Sequence, residues 1–239
     1  METEDGSKSL YDSKRQLHYR SRWGACSESR HVFVDGTRVA NSASPWRVLE
    51  LGFGAAINFG QTVAALLEQK GERLEYHAVE YAPVAPGDLS FHTGVAGRLA
   101  RRALQEVGRS SDPVRVEGLE GRVELWLHPV GWLDFERPDL RADAVYFDPF
   151  GPRNEPDSWT IDCFVTARRH MAPEALLGTY SAATAVKRAM FAAGFHVATA
   201  PGPGPKREIT FASPSRARLE ARPELELLDR RHYLRGAHD

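Results

Sequence analysis

The feature that most constrains the fold is the regular alternation of short apolar runs and helix-like segments along residues 46–212. Apolar residues at helical spacing predict helices at 58–69, 99–107, 158–171 and 182–193. Runs of β-forming residues between them predict strands at 46–51, 74–79, 123–127, 142–147, 176–180, 195–199 and 207–212. Strands separated by helices form a mostly parallel sheet. Only a Pro/Gly-rich turn separates the last two strands, so that pair must be antiparallel.

We therefore predict an α/β fold with a seven-stranded, mostly parallel sheet and an antiparallel closing strand. This arrangement resembles the Rossmann-like class I methyltransferase architecture, whereas dinucleotide dehydrogenases do not usually end in such a hairpin. β-forming stretches at 17–23 and 31–36 predict an additional N-terminal β-hairpin. The chain is thus divided into a flexible N-terminus, a hairpin extension, the methyltransferase-like domain and a charged C-terminal tail, at residues 1–14, 15–45, 46–212 and 213–239.

Composition restricts the class of protein. The net charge is -1, which argues against a general nucleic-acid coat protein but is compatible with an enzyme that has a local basic face. Cys26 and Cys163 lie too far apart for a Cys-x-x-Cys site, and the histidines show no metal-binding spacing, so we expect no metal. The sequence has no apolar run long enough to cross a membrane and no secretory signal. We expect a cytoplasmic monomer.

A glycine-rich turn follows the first predicted strand and reads Glu50-Leu-Gly-Phe-Gly-Ala-Ala-Ile-Asn58. Its glycines allow the backbone to turn tightly beside a ligand, although Ile57 replaces the third glycine of the dinucleotide fingerprint. Glu80 ends the second strand, where a carboxylate can bind both ribose hydroxyls. By themselves these features leave NAD, or an ordinary strand-to-helix turn, open. The predicted cofactor-binding residues are Glu50, Gly52, Phe53, Gly54, Asn58, Glu80 and Asp148.

A second motif, Tyr146-Phe-Asp-Pro-Phe-Gly-Pro152, follows the fourth predicted strand and is similar to the Asp-Pro-Pro-Tyr type loops of amino-group methyltransferases. An amine must be neutral to attack a methyl group, and it gains positive charge as the bond forms. Asp148 can accept its hydrogen bond and stabilise the developing ammonium, while Pro149 stiffens the turn. We predict Asp148 and Phe150 as catalytic residues, and Phe150 or Trp159 could stack on a flat base. The alternatives are that Asp148 caps a turn and that Trp159 is a core aromatic.

Blocks of sequence from about Tyr19 to Ala212 occur in a characteristic order. They are Tyr19-Arg-Ser-Arg-Trp-Gly-Ala25 with Glu28-Ser-Arg-His-Val-Phe33, Leu51-Gly-Phe-Gly54 with Asn58-Phe59, Asp143-Ala-Val-Tyr-Phe-Asp148 through Trp159-Thr160, Thr179-Tyr-Ser-Ala-Ala183 with Ala193-Gly-Phe195, and Lys206-Arg-Glu-Ile-Thr210. The series resembles the methyltransferase domain of the MnmC family. The resemblance implies S-adenosylmethionine as donor, the amine of 5-aminomethyl-uridine at the tRNA wobble position as acceptor, and Asp148 beside the reacting groups.

Bifunctional members of that family also carry an FAD-dependent oxidase domain. This chain has no room for one, so we expect a stand-alone methyltransferase whose aminomethyl substrate comes from another enzyme. Three segments depart from the family pattern: His128-Pro-Val130, Pro149 and Ala55-Ala-Ile57. The first stands where the family usually has an acidic residue that binds adenine, so this contact must be made elsewhere.

Candidate substrate-binding residues lie near the expected pocket and in basic segments. The predicted set is Tyr19, Trp159, Tyr180, Ser181, Lys206 and Arg207. Phosphates of tRNA could also contact the arginines of the N-terminal region, which are Arg15, Arg20, Arg22, Arg30 and Arg38. The competing interpretation is that these arginines form an ordinary solvated surface.

Three alternative functions remain at this stage. A divergent enzyme could methylate a small-molecule or peptide amine, which the net charge of -1 and the altered loops favour. An NAD-dependent oxidoreductase is supported only by the glycine turn and Glu80. A non-catalytic RNA-binding descendant is conceivable because Pro129 stands where the adenine-binding acid is expected.

Overall fold

The computed structural model describes residues 2–12, 16–19, 24–70, 72–109, 112–203 and 208–234. Its strands are β1 (Tyr11–Asp12), β2 (Leu17–His18), β3 (Trp46–Leu51), β4 (Leu74–Val79), β5 (Val114–Gly118), β6 (Val123–His128), β7 (Ala142–Phe147), β8 (Met171–Thr179), β9 (His196–Ala200), β10 (Ile209–Ser213) and β11 (Glu226–Leu227). Its helices are α1 (Ala25–Ser29), α2 (Ile57–Glu68), α3 (Val95–Val107), α4 (Ile161–Arg169), α5 (Thr184–Ala192), α6 (Arg216–Glu220) and α7 (Arg230–Leu234). A π-helical turn (Arg30–Asp35) continues α1 directly.

Most of the described strands form one sheet in the order β11-β9-β10-β8-β7-β3-β4-β6-β5. The central strands β8, β7, β3, β4 and β6 are parallel neighbours. β10 lies between β8 and β9 and is antiparallel to both, as the short connecting turn predicted. The predicted α/β, Rossmann-like methyltransferase fold class is confirmed.

The predicted strand count is too low because two short edge strands were missed. β5 is antiparallel to β6 at one edge, and β11 is antiparallel to β9 at the other. β5 does alternate, since Val114 and Val116 face the core while Arg115 is exposed. β11 is a two-residue strand within the segment predicted as a charged tail, and two residues carry no readable pattern.

The prediction of a strand at 31–36 is wrong, because this segment continues helix α1. Val32, Phe33 and Val34 are buried, and the ring centroids of Phe33 and Tyr146 lie 5.2 Å apart. Packing against the sheet outweighs the β-forming tendency of Val-Phe-Val, which is a weak and context-dependent preference. A hairpin does form near the N-terminus, but between β1 and β2, where Tyr11 is paired with His18.

Residues 2–12, which we assigned to a flexible N-terminus, make specific contacts with the first turn of α1. The backbone N–H of Ala25 donates to the Ser7 hydroxyl (3.0 Å), and that of Ser27 donates to the Asp5 carboxylate (3.0 Å). These N–H groups have no partner within a helix, so the segment acts as its cap. Burial opposes ionisation of Asp5, but hydrogen bonds led by Ser7 and Thr3 hold the pKa of its carboxyl well below the usual range.

Helices cover both faces of the central sheet. Phe59 of α2 and Leu104 of α3 belong to the core on one face, and Phe164 of α4 and Met190 of α5 belong to the core on the other. Because the central strands are parallel, their carboxyl ends lie at one edge of the sheet, which is where α/β sheets bind their ligands. None of the described helices is both long and apolar enough to cross a membrane.

Candidate active site

A cavity of about 360 Å³ opens at the carboxyl ends of β3, β4 and β7. A predicted site residue follows each of these strands and lines the cavity: Gly52 after β3, Glu80 after β4 and Asp148 after β7. Residues Leu17, His18 and Tyr19 line it from the N-terminal side. The strand ends and the N-terminal segment together enclose one site.

The glycine turn is shaped for close approach between two strand ends. Gly52 has φ +88°, and a Cβ placed there would lie 2.8 Å from the carbonyl oxygen of Asp148. Gly54 has φ +46°, and a Cβ there would lie 2.9 Å from the ring of Tyr19. Glycine is therefore required at both positions, by backbone conformation and by space. The turn brings the walls contributed by β3 and β7 into direct contact.

Glu80 is held in a fixed orientation at the end of β4. One carboxylate oxygen accepts the backbone N–H of Gly54 (3.2 Å), and the other accepts the N–H of Ala82 (2.9 Å). A carboxylate oxygen has two lone pairs and can accept more than one hydrogen bond. The arrangement suits a pair of ligand hydroxyl groups, as predicted for ribose.

A buried polar network lies directly behind Asp148. The side-chain amide of Asn58 donates to Asp148 Oδ2 (2.7 Å) and to Glu50 Oε1 (2.7 Å). Ser29 donates to Asn58 Oδ1 (2.5 Å), and the hydroxyl of Tyr76 donates to Glu50 Oε2 (2.8 Å). Burial and the neighbouring Glu50 carboxylate raise the pKa of Tyr76 well above its usual value, so the phenol stays a donor.

Three hydrogen bonds fix the turn that follows Asp148. Tyr180 donates its hydroxyl to the carbonyl of Pro149 (2.7 Å), and the indole of Trp159 donates to the carbonyl of Phe150 (2.8 Å). The N–H of Phe150 donates to Glu155 Oε2 (3.0 Å). Because its backbone groups are paired by side chains, the turn holds its shape before any ligand binds.

The predicted site residues divide into two sets. Those that line the cavity are Tyr19, Gly52, Phe53, Gly54, Glu80, Asp148, Phe150 and Tyr180. Glu50 and Asn58, predicted to bind the cofactor, lie behind the wall and have 0% exposure. Trp159 and Ser181, predicted to bind substrate, are also buried outside the lining. The predicted Lys206 and Arg207 lie outside the described residues, as do Arg15, Arg20 and Arg22.

The sequence did not single out two carboxylates that line the cavity, Glu28 on α1 and Glu155 after the turn. Together with Glu80 and Asp148, they give the cavity four carboxylates in its lining. Glu28 occurs in a sequence block quoted above, but as part of a predicted hairpin. Only the helical course of α1 brings it to the cavity.

The end of β6 and the segment after it stand where the family usually has the acidic residue that binds adenine. His128 does not line the cavity and lies 3.0 Å from His77 in a buried pair. Trp132 lines the cavity instead, and its indole N–H donates to the carbonyl of Cys163 (2.8 Å). An indole anchored in this way offers a flat apolar wall for a base.

Comparison with known proteins agrees with this geometry. Residues 99–215 match a family described as S-adenosyl-L-methionine-dependent methyltransferase. The chain is 36% identical over 208 residues to the "tRNA 5-methylaminomethyl-2-thiouridine biosynthesis bifunctional protein MnmC" of Ralstonia nicotianae, covering 82% of this chain and 31% of that protein. The protein of the same name from Pseudomonas aeruginosa (strain UCBPP-PA14) is 35% identical, covering 80% and 31%. The chain thus spans about a third of the length of these relatives.

A solved structure extends the likeness to the fold. MnmC2 from Aquifex aeolicus superposes with a TM-score of 0.72 at 25% identity, covering 90% of this chain and 69% of that one. The matches favour a methyl donor over NAD and catalysis over a purely RNA-binding role. The chain is therefore an MnmC-like methyltransferase domain that uses S-adenosyl-L-methionine as its cofactor.

Proposed function

We propose that this domain methylates the exocyclic amine of 5-aminomethyl-uridine at the wobble position of tRNA, giving 5-methylaminomethyl-uridine. The observation that carries the proposal is the Asp148 carboxylate, which lines the cavity and is held by Asn58 beside a rigid turn. The names of the MnmC relatives supply the substrate class, because they refer to tRNA 5-methylaminomethyl-2-thiouridine biosynthesis.

The residues of the cavity fit the cofactor. Glu80 would hold the ribose hydroxyls, the turn at Gly52 and Gly54 would hold the methionine part, and Trp132 would face the base. S-adenosylmethionine supplies a methyl carbon bonded to a sulfonium, and transfer forms an N–C bond while the C–S electron pair stays on sulfur.

Asp148 acts on the acceptor amine. The amine needs a free lone pair to form the N–C bond, and its nitrogen carries a positive charge as the bond forms. The Asp148 carboxylate accepts a hydrogen bond from this nitrogen, stabilises the charge and accepts the proton that the methylated amine releases. Phe150 and Tyr19, with ring centroids 5.2 Å apart in an edge-to-face contact, form an aromatic entrance that suits a uracil ring.

The proposed contacts with tRNA depend on basic residues that are not already neutralised. Of the N-terminal arginines, Arg30 pairs with Asp35 and Glu68, and Arg38 pairs with Glu224. The predicted phosphate contacts of Lys206 and Arg207, and of Arg15, Arg20 and Arg22, remain a proposal from the sequence, because these residues lie outside the described part of the chain.

The test is transfer of labelled methyl groups to tRNA that carries 5-aminomethyl-uridine, with tRNA carrying an unmodified wobble uridine as the control. Asp148→Asn should lower kcat by about 100-fold or more, because general acid–base catalysis contributes on that scale. Because Asp148 is also a predicted cofactor-binding residue, calorimetry should measure the cofactor Kd of the variant separately, and the loss in kcat at saturating cofactor should persist whatever that Kd is. Cofactor binding without any transfer to the aminomethylated tRNA would refute the assigned acceptor.

A second candidate acceptor is the amine of a small molecule or peptide. The pairing of Arg30 and Arg38 with carboxylates and the net charge of -1 favour it. The same assay with free 5-aminomethyl-uridine nucleoside separates the candidates. If the nucleoside is methylated as efficiently as the tRNA, the small-molecule function replaces the first.

A further inference from the structure

We propose that Asn58 is a positioning residue for methyl transfer, fixing the Asp148 carboxylate from behind the cavity wall. The identity of the reaction rests on the proposed function, whereas the geometry does not. Asn58 contacts no ligand-accessible surface, since it is fully buried and absent from the cavity lining. Of the three side chains that its amide bonds, only Asp148 lines the cavity, so Asp148 is the route by which it can act on the reaction.

The hydrogen bonds of Asn58 leave its amide one orientation. Its two N–H donors go to Glu50 Oε1 and Asp148 Oδ2, both at 2.7 Å, and a carboxylate can only accept. Its oxygen accepts the hydroxyl of Ser29 at 2.5 Å. A flipped amide would aim its oxygen at two carboxylates, neither of which can donate to it. The amide is thus fixed by three elements: β3, α1 and the turn after β7.

Burial makes these bonds effective at holding a direction. Asn58, Glu50 and Ser29 each have 0% exposure, so bulk water does not compete for the bonds. Charge-assisted hydrogen bonds in such surroundings are shorter and stronger than neutral ones. With Oδ2 fixed by Asn58, the plane of the Asp148 carboxylate is set relative to the cavity it lines.

The bridge also affects the charge of Asp148. A donor to a carboxylate favours its ionised form, and the ionised form is the one that accepts a proton from the amine. Among the described residues, the titratable groups nearby include Glu50 and Tyr76 behind the wall, and Glu28, Glu80 and Glu155 in the cavity lining. Glu50 would repel a second negative charge, so the neutral amide of Asn58 between the two carboxylates counters that repulsion.

The test compares Asn58→Ala with Thr62→Val. Thr62 lies one turn further along α2, is equally buried, and bonds to the Asn58 backbone carbonyl (2.8 Å) and to the Tyr146 hydroxyl (3.2 Å), but it does not contact Asp148. Both variants lose buried hydrogen bonds in the same helix. Only Asn58→Ala should lower kcat, by about 10- to 100-fold, with cofactor affinity kept within about threefold.

A second readout does not require activity. The Asp148 carboxyl is followed by carbon NMR in a protein labelled at aspartate, with Asp148→Asn assigning the signal. Asn58→Ala should raise the pKa of Asp148, and Thr62→Val should not. If Asn58→Ala does not fold, Ser29→Ala removes only the support of the Asn58 oxygen, and a smaller rise is expected.

The outcomes separate the two proposals. An unchanged pKa of Asp148 in Asn58→Ala, or in Ser29→Ala where that variant replaces it, overturns the positioning role. An equal loss of kcat in Thr62→Val also overturns it. Absence of methyl transfer to tRNA by the unmodified chain overturns the proposed function, while the NMR titration still decides the role of Asn58.

Discussion

At the residue scale, the orientation of Glu80 predicts a specific loss of cofactor affinity. Glutamine keeps the size of the side chain but replaces one acceptor oxygen by an NH₂ group. That group would face the backbone N–H of Gly54 or Ala82, which now donate to the carboxylate. We expect Glu80→Gln to raise the Kd for S-adenosylmethionine by about 10- to 100-fold, measured by calorimetry, because a donor then faces a donor.

The matched control is Glu174→Gln, an exposed position on β8 away from the cavity. It should leave the Kd unchanged. Equal affinities in Glu80→Gln and in the unmodified chain would show that Glu80 does not hold the ribose.

Two glycines make a second prediction at this scale. Gly52→Ala introduces a Cβ 2.8 Å from a backbone oxygen at φ +88°, so we expect a loss of about 2–4 kcal/mol in the free energy of unfolding. Gly60→Ala, in helix α2 with nothing within 4 Å, should gain about 0.5–1 kcal/mol. Urea denaturation measures both. If both substitutions change the free energy of unfolding in the same direction, Gly52 is not required by the turn.

At the element scale, the turn after β7 depends on Trp159. Trp159→Phe keeps the apolar ring but removes the indole donor to the Phe150 carbonyl. We expect kcat/KM for tRNA to fall by about 10-fold, because the carbonyl loses a partner and the turn its fixed shape. The Kd for S-adenosylmethionine should stay unchanged.

Trp126→Phe is the corresponding control on β6. It removes an indole bond to Glu124 (2.6 Å) outside the cavity and should leave kcat/KM unchanged. A similar loss in both variants would indicate general destabilisation and not a local effect on the turn.

An element could be predicted from the sequence where neighbouring residues alone determine its conformation. Apolar runs predicted the buried strands β3 and β7, and the glycine and aspartate that follow them predicted the residues at the strand ends. The helical course of Arg30–Asp35 does not follow in this way, because packing of Phe33 on Tyr146 decides it. Likewise no spacing in the sequence shows that Asn58 joins Glu50 to Asp148, since a hydrogen bond between three elements depends on how they pack.

At the scale of the whole molecule, the sheet carries a buried histidine pair that does not line the cavity. His77 Nε2 lies 2.9 Å from Glu75, so it carries the proton that the carboxylate accepts. His77 Nδ1 then accepts from His128 Nε2, 3.0 Å away. Both rings are therefore neutral. A proton added to His77 Nδ1 would place two N–H donors against each other, one on each ring. Burial lowers the pKa of His77, and burial together with His77 and Arg137 lowers that of His128 to about 3.

This pair predicts a loss of stability in acid. In the unfolded chain both histidines take up protons near their ordinary pKa of about 6.5, whereas in the folded chain both pKa values are lower, and that of His128 is about 3. Stability therefore falls as pH falls below 6.5 towards the folded value for His128, which is about 3. Between about pH 7.5 and about pH 5, His128 alone should cost on the order of 2 kcal/mol.

Urea denaturation at the two pH values, on the chain and on His128→Gln, measures this effect. Glutamine can still donate to His77 Nδ1 but does not titrate, so the variant should lose about 2 kcal/mol less between the two pH values, whatever its stability at neutral pH. The difference between the two pH dependences separates the coupled His77–His128 pair from His92, His170 and His196, whose pKa values are also lowered in the folded chain. The same pH dependence in both proteins would mean that His128 is protonated alike in the folded and unfolded states.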